Sequence, residues 1–111
     1  MNWKMTNFDA TEDGNTRAEY EAHGYKVMVQ TADYMPGGVQ FTVTAPRNNR
    51  YAVDIYVDNN ILDPVQSVRI QTTAWGAQDI DDIDKVIEAY KTAQILGREI
   101  EAAYPECFKV E

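Results

Sequence analysis

The feature that most constrains this sequence is a change in the spacing of its apolar residues. Between residues 17 and 75 apolar and polar residues mostly alternate, which is the period of a strand with one buried face. From residue 79 to residue 104 the apolar residues recur every three or four positions, which is the period of an amphipathic helix. Strands followed by one helix predict an α+β fold.

Turn residues divide the alternating region into short strands, predicted over 25–30, 39–45, 50–58 and 65–75. Short connections rich in glycine, proline and asparagine favour antiparallel neighbours. We therefore predict an antiparallel β-meander of about four strands, packed by one long C-terminal helix. The predicted turns contain Pro36–Gly38, Pro46, Asn59–Asn60 and Pro64.

Residues 16–23 leave two interpretations open. Ala18, Tyr20 and Ala22 alternate with charged residues, as in a strand. A short helix is the alternative, because Thr16 is followed three residues later by a glutamate, as in a capping box. The glycine at position 24, where the alternation changes phase, indicates a bulge or a tight turn.

The length of 111 residues allows one domain with one hydrophobic core. We expect an N-terminal arm over 1–16, an antiparallel sheet over 17–75, a helix over 79–104 and a tail over 105–111. Asp79 fits the helix N-cap, and Pro105 follows its end. Ala93 and Gly97 are small, so the helix should approach the sheet most closely there. The predicted buried row is Ile83, Val86, Tyr90, Ala93, Gly97, Ile100 and Tyr104, widened by Ile80 and Ile87.

The formal net charge of -8 disfavours direct binding to nucleic acid or to an anionic membrane and favours a protein partner with a basic surface. Cys107 is the only cysteine, so an internal disulfide is excluded. No apolar stretch is long enough for a membrane span, and no secretion signal is recognisable. We expect a cytoplasmic protein.

The densest group of charges is Asp79, Asp81, Asp82 and Asp84, which we call the acidic helix start. Glu88 lies one turn further on. A metal site is disfavoured, because the glycine and glutamate positions of a calcium-binding loop are not matched. The remaining interpretations are a solvated start that complements the helix dipole and a surface that binds a basic partner. The partner-binding candidates are Asp79, Asp81, Asp82, Asp84 and Glu88.

Catalytic motifs are not recognisable in the sequence. His23 and Cys107 are single copies near opposite ends of the chain, and we expect a partly exposed strand or turn residue and a small hydrophobe in the C-terminal tail, respectively. We therefore predict no enzyme, no cofactor and no metal. An acid-base pair made by Asp54 and Asp58 is the catalytic alternative, and exposed strand charges that keep the sheet soluble are the simpler explanation of these two residues.

The polar face of the predicted sheet supplies a second candidate surface. Tyrosine and arginine are enriched at protein interfaces, and they also occur on solvated sheets. An exposed face of this kind also allows a homodimer. The candidates are Tyr56, Arg69 and Gln71, with Thr73 beside them.

In size, acidity and layout, this chain resembles the small accessory proteins of phages and mobile elements, in particular anti-CRISPR proteins. The resemblance rests on the turn-punctuated strands over 25–75, the acidic DIDDID segment and the helix that ends at Tyr104. It implies an inhibitor that blocks the basic nucleic-acid channel of a Cas effector in the host bacterial cytosol, with carboxylates in place of phosphates. An immunity protein or antitoxin for a nuclease toxin, and a phage structural or assembly subunit, are the alternatives.

Overall fold

The computed structural model describes residues 2–58, 67–71 and 78–108. The turns predicted at Asn59–Asn60 and Pro64, together with Thr73 and Trp75, lie outside the described residues. The described part of the chain contains six strands and one long helix, which confirms the predicted α+β class.

Four consecutive strands form one antiparallel sheet. Each strand pairs with its neighbours in the sequence, so the order across the sheet is the order along the chain, as in a meander. The strands are β1 (Lys4–Ala10), β2 (Thr16–Ala22), β3 (Tyr25–Thr31) and β4 (Val39–Thr44). Residues of the predicted N-terminal arm thus supply the edge strand β1, which is exposed along its whole length.

The connection between β2 and β3 is a two-residue turn. Ala22 pairs with Tyr25, so His23 and Gly24 alone make the reversal. Their φ angles of 53° and 84° are the left-handed values that a primed hairpin turn requires. Glycine adopts such values without strain, and histidine is one of the residue types enriched there. Residues 16–22 are therefore a strand, and the glycine at the phase change marks a tight turn.

The last two strands form a separate ladder, in which β5 (Asp54–Asp58) pairs antiparallel with β6 (Ser67–Gln71). The sequence analysis had placed both in the same meander as β4. Pro46 lacks the N–H that would extend the β4 ladder. The carbonyl of Val53, just before β5, accepts a hydrogen bond from the Tyr25 hydroxyl at 2.6 Å, so a side chain of β3 fixes the backbone that enters β5.

The long helix, α1 (Ile83–Ala103), follows a 3₁₀ helix at Ile80–Asp82 and precedes another at Pro105–Cys107. Asp79 lies just before the first 3₁₀ helix, but its side chain makes no capping hydrogen bond. Residues of both sheets join α1 in one core, which also contains Cys107, 1% exposed. The core consists of Ala22, Tyr25, Val27, Val29, Phe41, Val53, Ile55, Ala93, Leu96, Ile100 and Cys107.

The predicted buried row of the helix is wrong in its N-terminal half. Ile80, Ile83, Ile87 and Tyr90 are 87%, 41%, 46% and 39% exposed. The residues that α1 buries are Ala89, Ala93, Leu96, Gly97 and Ile100. Two rows with the same spacing run along this helix, and the small side chains of the alanine row allow the closer approach to the sheets.

Gly97 marks a close approach between α1 and β6. A Cβ atom added at Gly97 would lie 3.1 Å from Cγ1 of Val68, tighter than an ordinary van der Waals contact. The prediction that the helix comes closest to a sheet near Gly97 therefore agrees with this geometry, although the strand concerned belongs to the two-stranded sheet.

Gly97→Val should lower the free energy of unfolding by about 1–3 kcal/mol, because its side chain has no space beside Val68. Valine has a better helix propensity than glycine, so the loss would come from packing. Urea denaturation measures the effect, and Val68→Ala in the same chain should restore part of the loss. Gln94→Val, at an exposed position, is the control. A Gly97→Val protein as stable as the wild type would contradict the close approach.

Candidate functional site

Among the described residues, Asp82 is the one member of the acidic helix start whose side chain contacts another part of the chain. Its carboxylate accepts a hydrogen bond from the Tyr51 hydroxyl. Arg50 Nη2 lies 3.5 Å from Oδ2 of Asp82, and Lys85 Nζ lies 3.4 Å from Oδ1. Arg50 also lies over the Tyr51 ring, with 4.8 Å from its Cζ to the ring centroid. These contacts attach the helix start to the segment between β4 and β5.

The same contacts move the pKa values of both partners. The hydrogen bond from Tyr51, helped by the charges of Lys85 and Arg50, lowers the pKa of Asp82 below its usual value. The Tyr51 hydroxyl donates to a carboxylate, and this raises the pKa of Tyr51. Asp82 is therefore a charged structural anchor, with a side chain only 18% exposed.

The other predicted carboxylates face solvent. Asp79, Asp81, Asp84 and Glu88 are exposed, and none of their side chains makes a hydrogen bond or an ion pair with another described residue. We call these four residues the acidic surface. Within the described part of the chain, no three histidine, cysteine, aspartate or glutamate side chains are grouped to hold a metal ion.

Part of the acidic surface borders an open groove of about 530 Å³. The groove lies between the β2–β3 turn, the segment 46–52 and the first turns of α1. Asp84 and Glu88, one helical turn apart, line its helical wall. The other walls are formed mainly by His23, Tyr25, Pro46, Asn49, Tyr51 and Ala52.

His23 connects the β2–β3 turn to the helix. Its Nε2 atom lies 2.8 Å from both carboxylate oxygens of Glu99. Trp3 Nε1 donates to the same carboxylate at 3.3 Å, and the Trp3 ring packs against Tyr20 with 5.6 Å between centroids. His23 is thus a partly exposed turn residue, one of the two positions expected for it, and its partner Glu99 was not predicted.

The second predicted surface is assembled on the β5–β6 ladder. Tyr56 lies directly opposite Arg69, and Gln71 lies opposite Asp54. Tyr56, Arg69 and Gln71 are exposed, and they line one shallow groove together with Ile70. The side chain of Asp58 lies outside the described residues, so the alternative acid-base pair with Asp54 stays a hypothesis.

Sequence reasoning missed Tyr51 and Arg50 as partners of the helix start. The Tyr51–Asp82 hydrogen bond joins residues 31 positions apart, and no local pattern signals it. The sequence analysis placed both residues in the strand predicted over 50–58, whereas β5 begins at Asp54.

Comparison with known proteins yields no relative: the chain matches no family model, no curated protein and no solved structure. Among the described residues, no helix has the length and apolar character needed to cross a membrane.

Asp82→Asn should lower the melting temperature at pH 7, because the amide loses the charge that attracts Arg50 and Lys85. The folded pKa of Asp82 lies below its ordinary value of 3.8. Its contribution is therefore complete above the unfolded pKa and is lost as the pH falls through the folded pKa. The difference in melting temperature between wild type and variant should shrink below about pH 4.

Circular dichroism melts from pH 7 to pH 2 measure this difference. Asp81→Asn is the matched control, because Asp81 is an exposed neighbour without a described partner. Identical melting curves for wild type and Asp82→Asn at pH 7 would contradict the role of Asp82 as an anchor.

Proposed function

We propose that this chain is a protein-binding inhibitor that captures a basic surface of another protein through its acidic surface. The observation that carries the proposal is the division within the acidic helix start. Asp82 is held by Tyr51, Arg50 and Lys85, whereas Asp79, Asp81, Asp84 and Glu88 remain exposed without a described partner. Carboxylates that serve no internal contact are available to lysine and arginine side chains.

The shape beside these carboxylates supports the same function. Asp84 and Glu88 lie on the wall of a groove with apolar and aromatic walls, and a long cationic side chain can lay its apolar stem along such a wall. The net charge of -8 accelerates encounter with a basic partner. In this proposal Tyr56, Arg69 and Gln71 form a second contact area, because aromatic and arginine side chains often anchor interfaces.

The partner class follows from the chemistry of the acidic surface. Basic surfaces that bind phosphates also attract a row of carboxylates, so we propose a nucleic-acid-binding protein as the target. The finer proposal is a phage-encoded anti-CRISPR protein acting on a Cas effector in the bacterial cytosol. A nuclease toxin neutralised by an immunity protein presents the same chemistry and is the second candidate.

Neutralising Asp79, Asp81 and Glu88 with Asp→Asn and Glu→Gln changes should weaken partner binding roughly 10- to 100-fold, at about 0.5–1 kcal/mol for each lost charge pair. The test is affinity capture from nuclease-treated bacterial lysate, washed across a salt series and followed by mass spectrometry. The matched control, Asp9→Asn with Glu12→Gln and Asp33→Asn, removes the same charge from exposed positions elsewhere.

We expect the wild type and the control to capture a basic nucleic-acid-binding protein that the variant no longer captures. A short oligonucleotide should displace this protein from the wild type. Equal capture by variant and control would exclude the acidic surface as the binding site. Recovery of the bait alone would count against an inhibitor of this class.

A further inference from the structure

A second apolar row runs along the outside of the helix. Ile80, Ile83, Ile87 and Tyr90 follow one another at steps of three, four and three residues, which is the spacing of the apolar positions in a coiled-coil seam. All four are exposed, Ile83 and Ile87 at 41% and 46%. We call Ile83, Ile87 and Tyr90, which belong to α1, the outer seam.

The outer seam is separate from the core. At 100° per residue it lies roughly a third of a turn around the helix from the row that begins with Ala89 and Ala93. Ile70 of β6, 36% exposed, extends it. Ile70, Val86, Ile87 and Tyr90 line a groove of about 520 Å³. A continuous apolar strip with polar borders is typical of a protein interface.

The charges beside the outer seam favour a second copy of this chain as its occupant. Asp84 and Lys91 lie seven residues apart, so both border the seam on the same side. Both are exposed, and neither has a described ion-pair partner. A border made only of acidic residues would favour a basic partner. Asp84 and Lys91 instead place opposite charges on one side of the seam, so this border is complementary to the same border of a second copy that runs in the opposite direction.

We propose that two copies associate through their outer seams, with the two α1 helices antiparallel. A two-fold axis then places the same borders opposite each other, so Asp84 of each copy meets Lys91 of the other. Ile87 packs against Tyr90 of the second copy in the same arrangement. In a parallel pair the two Asp84–Lys91 ion pairs would not form. Asp84 would then face the other side of the second copy's seam, near Val86 and β6.

The dimer leaves Asp79, Asp81 and Glu88 outside the seam. The dimer uses Asp84 of the acidic surface in the ion pair with Lys91 and still presents the other three carboxylates of each copy, which are the residues that test the proposed function. The net charge of -8 on each copy opposes association over long range, and at physiological salt this repulsion is screened beyond about 8 Å. Contacts at the seam act within that distance.

Sedimentation equilibrium of the full chain at physiological salt, from micromolar to millimolar concentration, tests the proposal. We expect a monomer–dimer equilibrium in the wild type. Ile87→Ser combined with Tyr90→Ser should weaken dimerisation at least 100-fold. Ile95→Ser is the matched control, since Ile95 is 53% exposed on another side of the helix and should leave the dimer intact. Urea denaturation confirms that each variant is folded.

Charge exchange tests the orientation. Asp84→Lys alone and Lys91→Asp alone should each weaken the dimer about 10-fold or more, because each places like charges opposite one another. The double variant, Asp84→Lys with Lys91→Asp, should recover most of the affinity. A monomeric wild type at millimolar concentration, equal loss in the Ile95→Ser control, or no recovery in the double variant would overturn the proposal. Partner capture by a monomeric chain would still support the proposed function.

Discussion

The contact that the rest of the structure depends on is the one between α1 and the two sheets. A two-stranded ladder such as β5–β6 is marginal in water, and here its inner face is buried against the helix. Small residues make the contact possible, because Ala89, Ala93 and Gly97 let the helix axis come close while Leu96 and Ile100 fill the core. The four-stranded sheet and the β5–β6 ladder are therefore separate sheets that share one core.

That packing also determines which charges are free. With the buried row of α1 turned toward the sheets, Asp82 is brought to Tyr51 and Arg50, and it is used to attach the helix start. Asp84 and Glu88 are left on the wall of the groove. Aspartates that look equivalent in the sequence thus separate into a structural anchor and an acidic surface, and the proposed inhibitor function uses only the latter.

The helix carries two apolar rows but packs only one of them inside the chain. The alanine-rich row allows the closer approach, because Gly97 lies against Val68 of β6, while Leu96 and Ile100 of the same buried face reach the core shared by both sheets. The isoleucine-rich outer seam instead keeps Ile83, Ile87 and Tyr90 exposed to solvent. This exposure is the reason for proposing the outer seam as an interface, and the opposite charges of Asp84 and Lys91 are the reason for proposing a second copy as its occupant.

The sequence by itself determined the elements whose period is local. Alternation predicted β3 to β6, although it left β2 open against a short helix and β1 lay in the predicted N-terminal arm. Residues such as Gly24 marked the turns, and the change to a spacing of three and four residues predicted the helix. Tertiary structure decided the rest. Periodicity cannot distinguish two rows with equal spacing, so the burial of Ala89 and Ala93 and the exposure of Ile87 depend on how closely each row can approach the sheets. The pairing of Asp82 likewise depends on contacts between residues far apart in the chain, which no local pattern encodes.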